Sequence, residues 1–248
     1  MRLDKYLSEM GIDTRSELKK QIRWGNVTVN DKKIKDPGVH VSEDDVIYYK
    51  GKKVVYEKYQ YFMLNKPDGI LTAARDKKQP TVMDLFADTG RKDLAPVGRL
   101  DKDTHGLLFI TNDGELAHYL LSPKNNVPKI YYAEVAGVLT REDVSAFEEG
   151  LQIDDEFKAL PAKLEIVESD EISKAYITVC EGKFHQVKRM FQAVSKEVVY
   201  LKRIKMAGIP LDETLEEGTF RALTKEEIDI LNTYRKGISC ERDNCRKE

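Results

Sequence analysis

Leu3, Leu7 and Met10 recur at helical spacing and Gly11 follows as a stop, so the chain opens on a short amphipathic helix. Thr14 stands three residues before Glu17, a capping-box pattern that starts a second helix, with Leu18 and Ile22 on one face and Gly25 at its end. GNVTVNDKKI then alternates Val27 and Val29 with polar residues, turns at Asn30-Asp31 and leads through Val39 and Val41 to VIYYK. The pattern is helix, helix, small sheet. A Lys-rich stretch, YKGKKVVYEKYQ, precedes the strand pattern YFMLN, which puts a boundary near residues 56 to 60.

Beyond that boundary strand and helix periods are interspersed. NKPDG is a turn with Pro67 second and Gly69 fourth. GLLFITNDG reads as strand and turn, ELAHYLL as helix and KIYYAEVAGVL as strand, and Thr140 with Asp143 opens a further helix. KLEIVE and KAYITVCEGKF pair as strands, HQVKRMFQAV is a helix and RIKMAGIPL is strand or loop. Thr224 with Glu227 caps a last helix that stops near Gly237. Without a regular βαβ rhythm or a Gly-rich phosphate fingerprint, the fold class is α+β with a mostly antiparallel, mixed sheet. The expected organisation is a small module over residues 1–56, a larger domain over 60–237 and a charged tail over 238–248.

Composition narrows the function classes. The 248 residues hold 41 Lys and Arg against 43 Asp and Glu, a net charge of −2, and the hydrophobic share of 41% is too high for a disordered chain. Apolar runs are far shorter than the roughly 20 residues that cross a bilayer, and MRLDKYLSEMG has no apolar signal-peptide region. No membrane partner is expected, and the expected compartment is the cytoplasm. Cys180, Cys240 and Cys245 do not make a disulfide framework, which fits a reducing compartment, and Cys240 and Cys245 read as free thiols in the tail rather than as a metal site. The near-zero net charge hides a gradient, because residues 1 to 33 carry eight Lys and Arg against five acids. On the second helix Arg15, Lys19 and Arg23 fall at i, i+4 and i+8, a cationic flank that is either a solvated face or a match for a row of phosphates.

Three segments carry candidate chemistry. VGRLDKDTHGLLFI sets Asp101 and Asp103 between Gly98 and Gly106 ahead of a buried strand; an Asp there can act as nucleophile, base or metal ligand, or simply cap a turn. In EGKFHQVKRMFQAV, roughly 100° per helical residue puts Val187, Met190, Phe191 and Val194 on one face, Lys188 at its edge, and Arg189 nearly opposite, towards solvent or RNA phosphate. His185 reads as a hydrogen-bonded structural histidine. Strand alternation sends Tyr131 and Tyr132 of PKIYYAEVAG to opposite faces, one to the core and the other to solvent or a cleft, where a ring can stack on a base.

RLDKYL and TRSELKKQIRWGNVTVNDKKIKDPGVHV, over roughly residues 2 to 48, resemble the S4-like RNA-binding domain. That resemblance implies RNA contacts from Arg2, Lys5, Arg15, Lys19 and Arg23. With NKPDG, GRLDKDTHGLL, KIYYAEV, EGKFHQVKRMF and GTFRALTKEEI in this order, nearly the whole chain resembles the RsuA-like rRNA pseudouridine synthases. The resemblance implies a catalytic Asp101, an active-site tyrosine at Tyr131, Lys188 as the basic partner, a structural Asp103, and RNA contacts from Arg99 and Arg189. It also implies no cofactor, no metal, and a monomer acting on ribosomal RNA, within a small-subunit assembly intermediate, at uridine-516 of 16S rRNA. Its rivals are a large-subunit (23S) enzyme of the same family, a non-catalytic ribosome-assembly factor, and a carboxylate-pair hydrolase or metal-dependent transferase built on Asp101 and Asp103.

Overall fold

Residues 1–155 and 157–235 are described in a computed structural model, in which the chain divides into two units: residues 1–60 with 83–95, and residues 61–82 with those from 96 onward. A linear reading of the sequence had no means of assigning 83–95 to the first unit. The charged tail, the end of the last helix near Gly237, and Cys240 and Cys245 lie outside the described residues.

In the first unit α1 (Leu3–Glu9) and α2 (Arg15–Arg23) pack on β1 (Val27–Val29), β2 (Lys32–Ile34), β3 (Ile47–Tyr49) and β4 (Lys52–Val54), with sheet order β2-β1-β3-β4. The Thr14 hydroxyl accepts from the Glu17 N–H at 3.3 Å, so the helix starts where the capping pattern predicts. Asn30 and Asp31 both take positive φ, as the two-residue turn between β1 and β2 requires. Leu3, Leu7, Leu18, Ile22, Val27 and Ile47 are fully buried and make the core. Burial of each such side chain contributes ~1.5–3 kcal/mol. The 83–95 segment joins this unit through Gly90, where an added Cβ would come within 2.3 Å of the Gly11 carbonyl oxygen. Arg91 anchors the same segment, donating to Asp93 and to the Glu57 carbonyl.

The second unit is built on β5 (Tyr61–Lys66), β7 (His105–Thr111), β8 (Lys129–Ala136), β9 (Lys163–Glu168), β10 (Ile172–Val179), β11 (Glu197–Met206), β12 (Ile209–Pro210) and β13 (Phe220–Ala222), with the two-residue β6 (Ala95–Pro96) at the junction between units. Its sheet runs β13-β5-β7-β11-β8-β10-β9, β12 pairs with β11, and every pairing named here is antiparallel except that of β7 with β11. The mixed α+β architecture expected from the sequence is the one observed. β8 alternates strictly between buried and half-buried residues, so one face of the sheet takes the core. On that face α5 (Gln186–Ala193) sets Phe191 against Phe147 of α4 (Arg141–Glu149), ring centroids 5.0 Å apart. The third helix, α3 (Gly114–Leu121), and the last, α6 (Lys225–Arg235), share a second core with Met63, Leu107 and Phe109. Cys180 is buried just after β10. No helix among the described residues is long and apolar enough to cross a membrane.

Candidate active site

β5 ends in Lys66, whose side chain is fully buried at the foot of the loop that carries Asp101. Its ammonium donates to the carbonyls of Pro67 (3.0 Å), Lys102 (3.0 Å) and Thr104 (2.9 Å), which uses all three N–H groups. Burial brings this lysine down to about 8, against the opposing pull of Asp68, Asp103, Asp101 and Glu217. Gly69 donates its N–H to the Lys102 carbonyl, and the Thr72 hydroxyl both donates to the Leu100 carbonyl and accepts from the Leu100 N–H. The loop is thus strapped at residues 100, 102 and 104. Its carboxylates are held by the backbone beneath them rather than by their own side-chain contacts alone.

The Asp101 side chain is one-quarter exposed and faces His185, with Oδ1 3.6 Å from Nε2. His185 sits in the left-handed region at φ 50 just before α5 and stacks on the exposed Phe184 ring at 3.8 Å. Gln186 holds that turn, donating to Glu181 and accepting from the Lys183 N–H. Lys188 comes off the next turn of the helix, half-buried as its edge position predicts, and its ammonium meets Asp103 at 2.5 Å. Burial pushes the Asp103 carboxyl up, but the hydrogen bond and charge of Lys188 outweigh it and the group lies below its usual value. The structure therefore joins Lys188 to Asp103, where the resemblance had implied a partner for Asp101.

Tyr131 lies on the packed face, 8% exposed, and Tyr132 on the other, its hydroxyl donating to Glu134. In register Tyr131 stands opposite Arg203 of β11, and Arg203 opposite Gly106 of β7, so the three form one row across the sheet a few residues beyond Asp101. The Arg203 guanidinium lies 6.0 Å from the centre of the Tyr131 ring and donates from Nε to the Leu107 carbonyl. Gly106 has φ 97, and a Cβ there would stand 2.3 Å from the Arg203 carbonyl oxygen, so the glycine of DTHGLL is what lets β7 approach β11. Lys129, two residues before Tyr131, is also buried and brought down to about 8, first by burial and then by the charge of Arg203.

The other expected contacts separate into engaged and unengaged cations. Arg189 is ion-paired with Asp154 and lies over the Phe157 ring, so its charge is not left open to solvent as helix geometry alone suggested. Arg99 is exposed just ahead of the loop. In the first unit Asp4 is fully buried and holds both Arg2 and Arg15, while Lys5 pairs with Glu9 at 3.4 Å. Lys19 and Arg23 are in no ion pair among the described residues. Sequence reasoning missed Lys66, which it took for part of a turn, and set His185 aside; the partners that tie them to the Asp101 loop lie 36 or more residues away and do not show in local spacing. No group of three His, Cys, Asp or Glu side chains fit to hold a metal occurs among the described residues.

The site is thus a strapped carboxylate facing an imidazole, with a tyrosine and buried cations behind it. The RNA pseudouridylate synthase family matches residues 60–193 and the S4 domain residues 1–47. An uncharacterized RNA pseudouridine synthase, YtzG, from Bacillus subtilis is 46% identical over 94% of this chain and 98% of its own length. The ribosomal small subunit pseudouridine synthase A of Haemophilus influenzae is 40% identical over 93% of this chain and 99% of its own, and the ribosomal large subunit pseudouridine synthase B of Bacillus subtilis 38% over 93% and 95%. A crystal structure of a pseudouridylate synthase superposes with a TM-score of 0.65 at 38% identity, covering 93% of this chain and 99% of that one. The chain belongs to the RNA pseudouridylate synthase family and carries an S4 domain at its N-terminus.

Proposed function

We propose that this enzyme isomerises a uridine of ribosomal RNA, in the small subunit at uridine-516 of 16S rRNA, with Asp101 as the reacting carboxylate. The observation that carries the reading is the strapping of the Asp101 loop by Lys66, Gly69 and Thr72, which presents one carboxylate in a fixed place beside His185. Uridine and pseudouridine are isomers. The N1–C1′ bond is exchanged for a C5–C1′ bond, and the proton lost from C5 is balanced by the one gained at N1. An ionised Asp101 serves this as nucleophile or base towards the sugar. Lys188 offers positive charge and His185 a ring nitrogen within reach of the departing uracil, and Tyr131 offers an aromatic face and a hydroxyl for the C5 proton. Because the target atoms lie within a stacked base, the nucleotide has to be flipped out, at about a few kcal/mol, which phosphate contacts from the S4 domain offset.

Lys188 acts in this scheme partly through Asp103, fixing the loop from the helix side. Relatives named for the small subunit reach 40% identity and one named for the large subunit 38%, so the site of modification is the measurement that discriminates. Primer extension after carbodiimide treatment of rRNA from a deletion strain is expected to lose one pseudouridine stop in 16S rRNA; a lost stop in 23S rRNA would move the substrate to the large subunit. Asp101→Asn is expected to abolish restoration of that stop while binding the RNA within about twofold of the wild type, since a carboxamide keeps the size and only the charge is removed. Full turnover by this variant overturns the assignment.

A further inference from the structure

Trp24 is the one tryptophan of the chain, and it stands 67% exposed at the C-terminal end of α2. Its N–H bonds to the Lys20 carbonyl at 3.0 Å, so the backbone is fixed while the indole reaches into solvent. Among the described residues no ring or cation stacks on it, whereas Tyr6 of the same unit stacks on Tyr56 inside the core. A lone exposed hydrophobe is ordinary; the surroundings of this one are not. Lys20 lies one turn back on the same side of the helix, and Arg23 immediately precedes it. The stem of Lys33 passes 3.9 Å from where a side chain on Gly25 would begin. Lys50, its ammonium over the Tyr49 ring, follows β3 and donates its N–H to the Asn26 carbonyl. The nearby acid, Glu17, is already engaged by Lys20 and Gln21.

A flat, uncovered indole with Arg23 beside it in the chain, and with Lys33 and Lys50 against the residues that follow it, Gly25 and Asn26, matches the two halves of a nucleotide, an aromatic base and a phosphate. A protein-binding patch would instead be poor in lysine, whereas RNA-binding surfaces pair aromatic rings with cations. We propose that Trp24 is a base-stacking residue of the S4 unit, on which an unpaired nucleotide of the ribosomal RNA lies while Arg23, Lys33 and their neighbours take the flanking phosphates. The inference rests on the reading of ribosomal RNA as substrate and adds where an unpaired base is gripped away from the reacting carboxylate.

Because Trp24 is unique, its fluorescence reports this contact alone. Full-length protein is titrated with protein-free, in-vitro-transcribed 16S rRNA, following tryptophan emission and its quenching by acrylamide, with filter retention measured in parallel. Emission is expected to fall along the same curve as retention, and acrylamide access to drop. Trp24→Ala is expected to weaken retention by about 5- to 150-fold, the range that ~1–3 kcal/mol per stacked base corresponds to, while Trp24→Phe stays within a few-fold of wild type. The exposed ring makes no core contact, so the thermal unfolding midpoint is expected to be unchanged in both variants. Retention without any change in emission overturns the inference and leaves the RNA reading standing. A wild-type protein that retains no RNA overturns both. Emission that responds to protein-bearing small subunits but not to naked rRNA also overturns it, since Trp24 would then face a protein.

Discussion

Lys66 is a cation with no water to solvate it, and three carbonyls stand in for that water. Lys66→Met keeps the length of the side chain and leaves those carbonyls without donors, so it is expected to lower stability by about 2–4 kcal/mol at pH 7 and turnover by about tenfold or more as the Asp101 loop loses its strap. The pH dependence follows from the depressed value of about 8 in the folded protein. Between that value and the ordinary lysine value of about 10.4, the unfolded chain holds a proton that the folded protein has released, so wild-type stability rises with pH through this window relative to a variant without the group. Urea unfolding at pH 7.5 and 9.5 checks this: the gap between wild type and Lys66→Met is expected to widen at the higher pH, and a narrowing gap contradicts it. The sequence reading recognised NKPDG as a turn because Pro and Gly have local conformational preferences. It had no access to the three carbonyls, two of which come from residues 102 and 104.

Among the elements, Asp113 joins more of the fold than its place in a turn suggests. It caps α3 by accepting the Leu116 N–H at 3.1 Å, takes the Tyr61 hydroxyl of β5 at 2.7 Å and pairs with Arg235 of α6. Burial pushes this carboxyl up, yet the Leu116 N–H, the Tyr61 hydroxyl and Arg235 together bring it below its usual value. A depressed carboxylate contributes stability that is present above its unfolded value and lost as pH falls through the folded one. Asp113→Ala is therefore expected to cost about 2–4 kcal/mol at pH 7 and clearly less at pH 3, read from urea midpoints at the two pH values. Helix starts such as Thr14, and Thr140 with Asp143, were readable in the sequence because both partners lie within one turn. The parallel pairing of β7 with β11 was not, since it joins His105 to Lys202 and no local pattern specifies which distant strand a given strand meets. For the same reason helix geometry put Lys188 at the correct edge without revealing that Asp103 was the carboxylate waiting there.

For the whole molecule, a net charge of −2 conceals a division of labour among cations. In the S4 unit Arg2, Arg15 and Lys5 already have carboxylate partners, while Lys19 and Arg23 have none among the described residues. Of the five cations of this unit expected at the RNA, these two are the ones left to neutralise phosphates, so each is expected to carry its own share of the salt dependence of binding. Replacing both with alanine is expected to reduce the slope of log K against log salt by about 1.4–1.8, measured by filter binding between about 50 and 200 mM KCl. An unchanged slope would remove both residues from the phosphate contacts.

The assignment of residues 83–95 to the first unit has a consequence for synthesis. Gly90 meets Gly11 and Arg91 meets Glu57 only after the chain has left the first unit, laid down β5 and returned. At about 5–20 residues per second, the stretch between residues 60 and 95 takes about 2–7 s to emerge. During that interval the nascent S4 unit already has the residues of its own core but lacks the segment that braces the end of its first helix. The N-terminal unit is the first to begin folding on the ribosome, but it reaches its finished form only after the first strand of the second unit has been made.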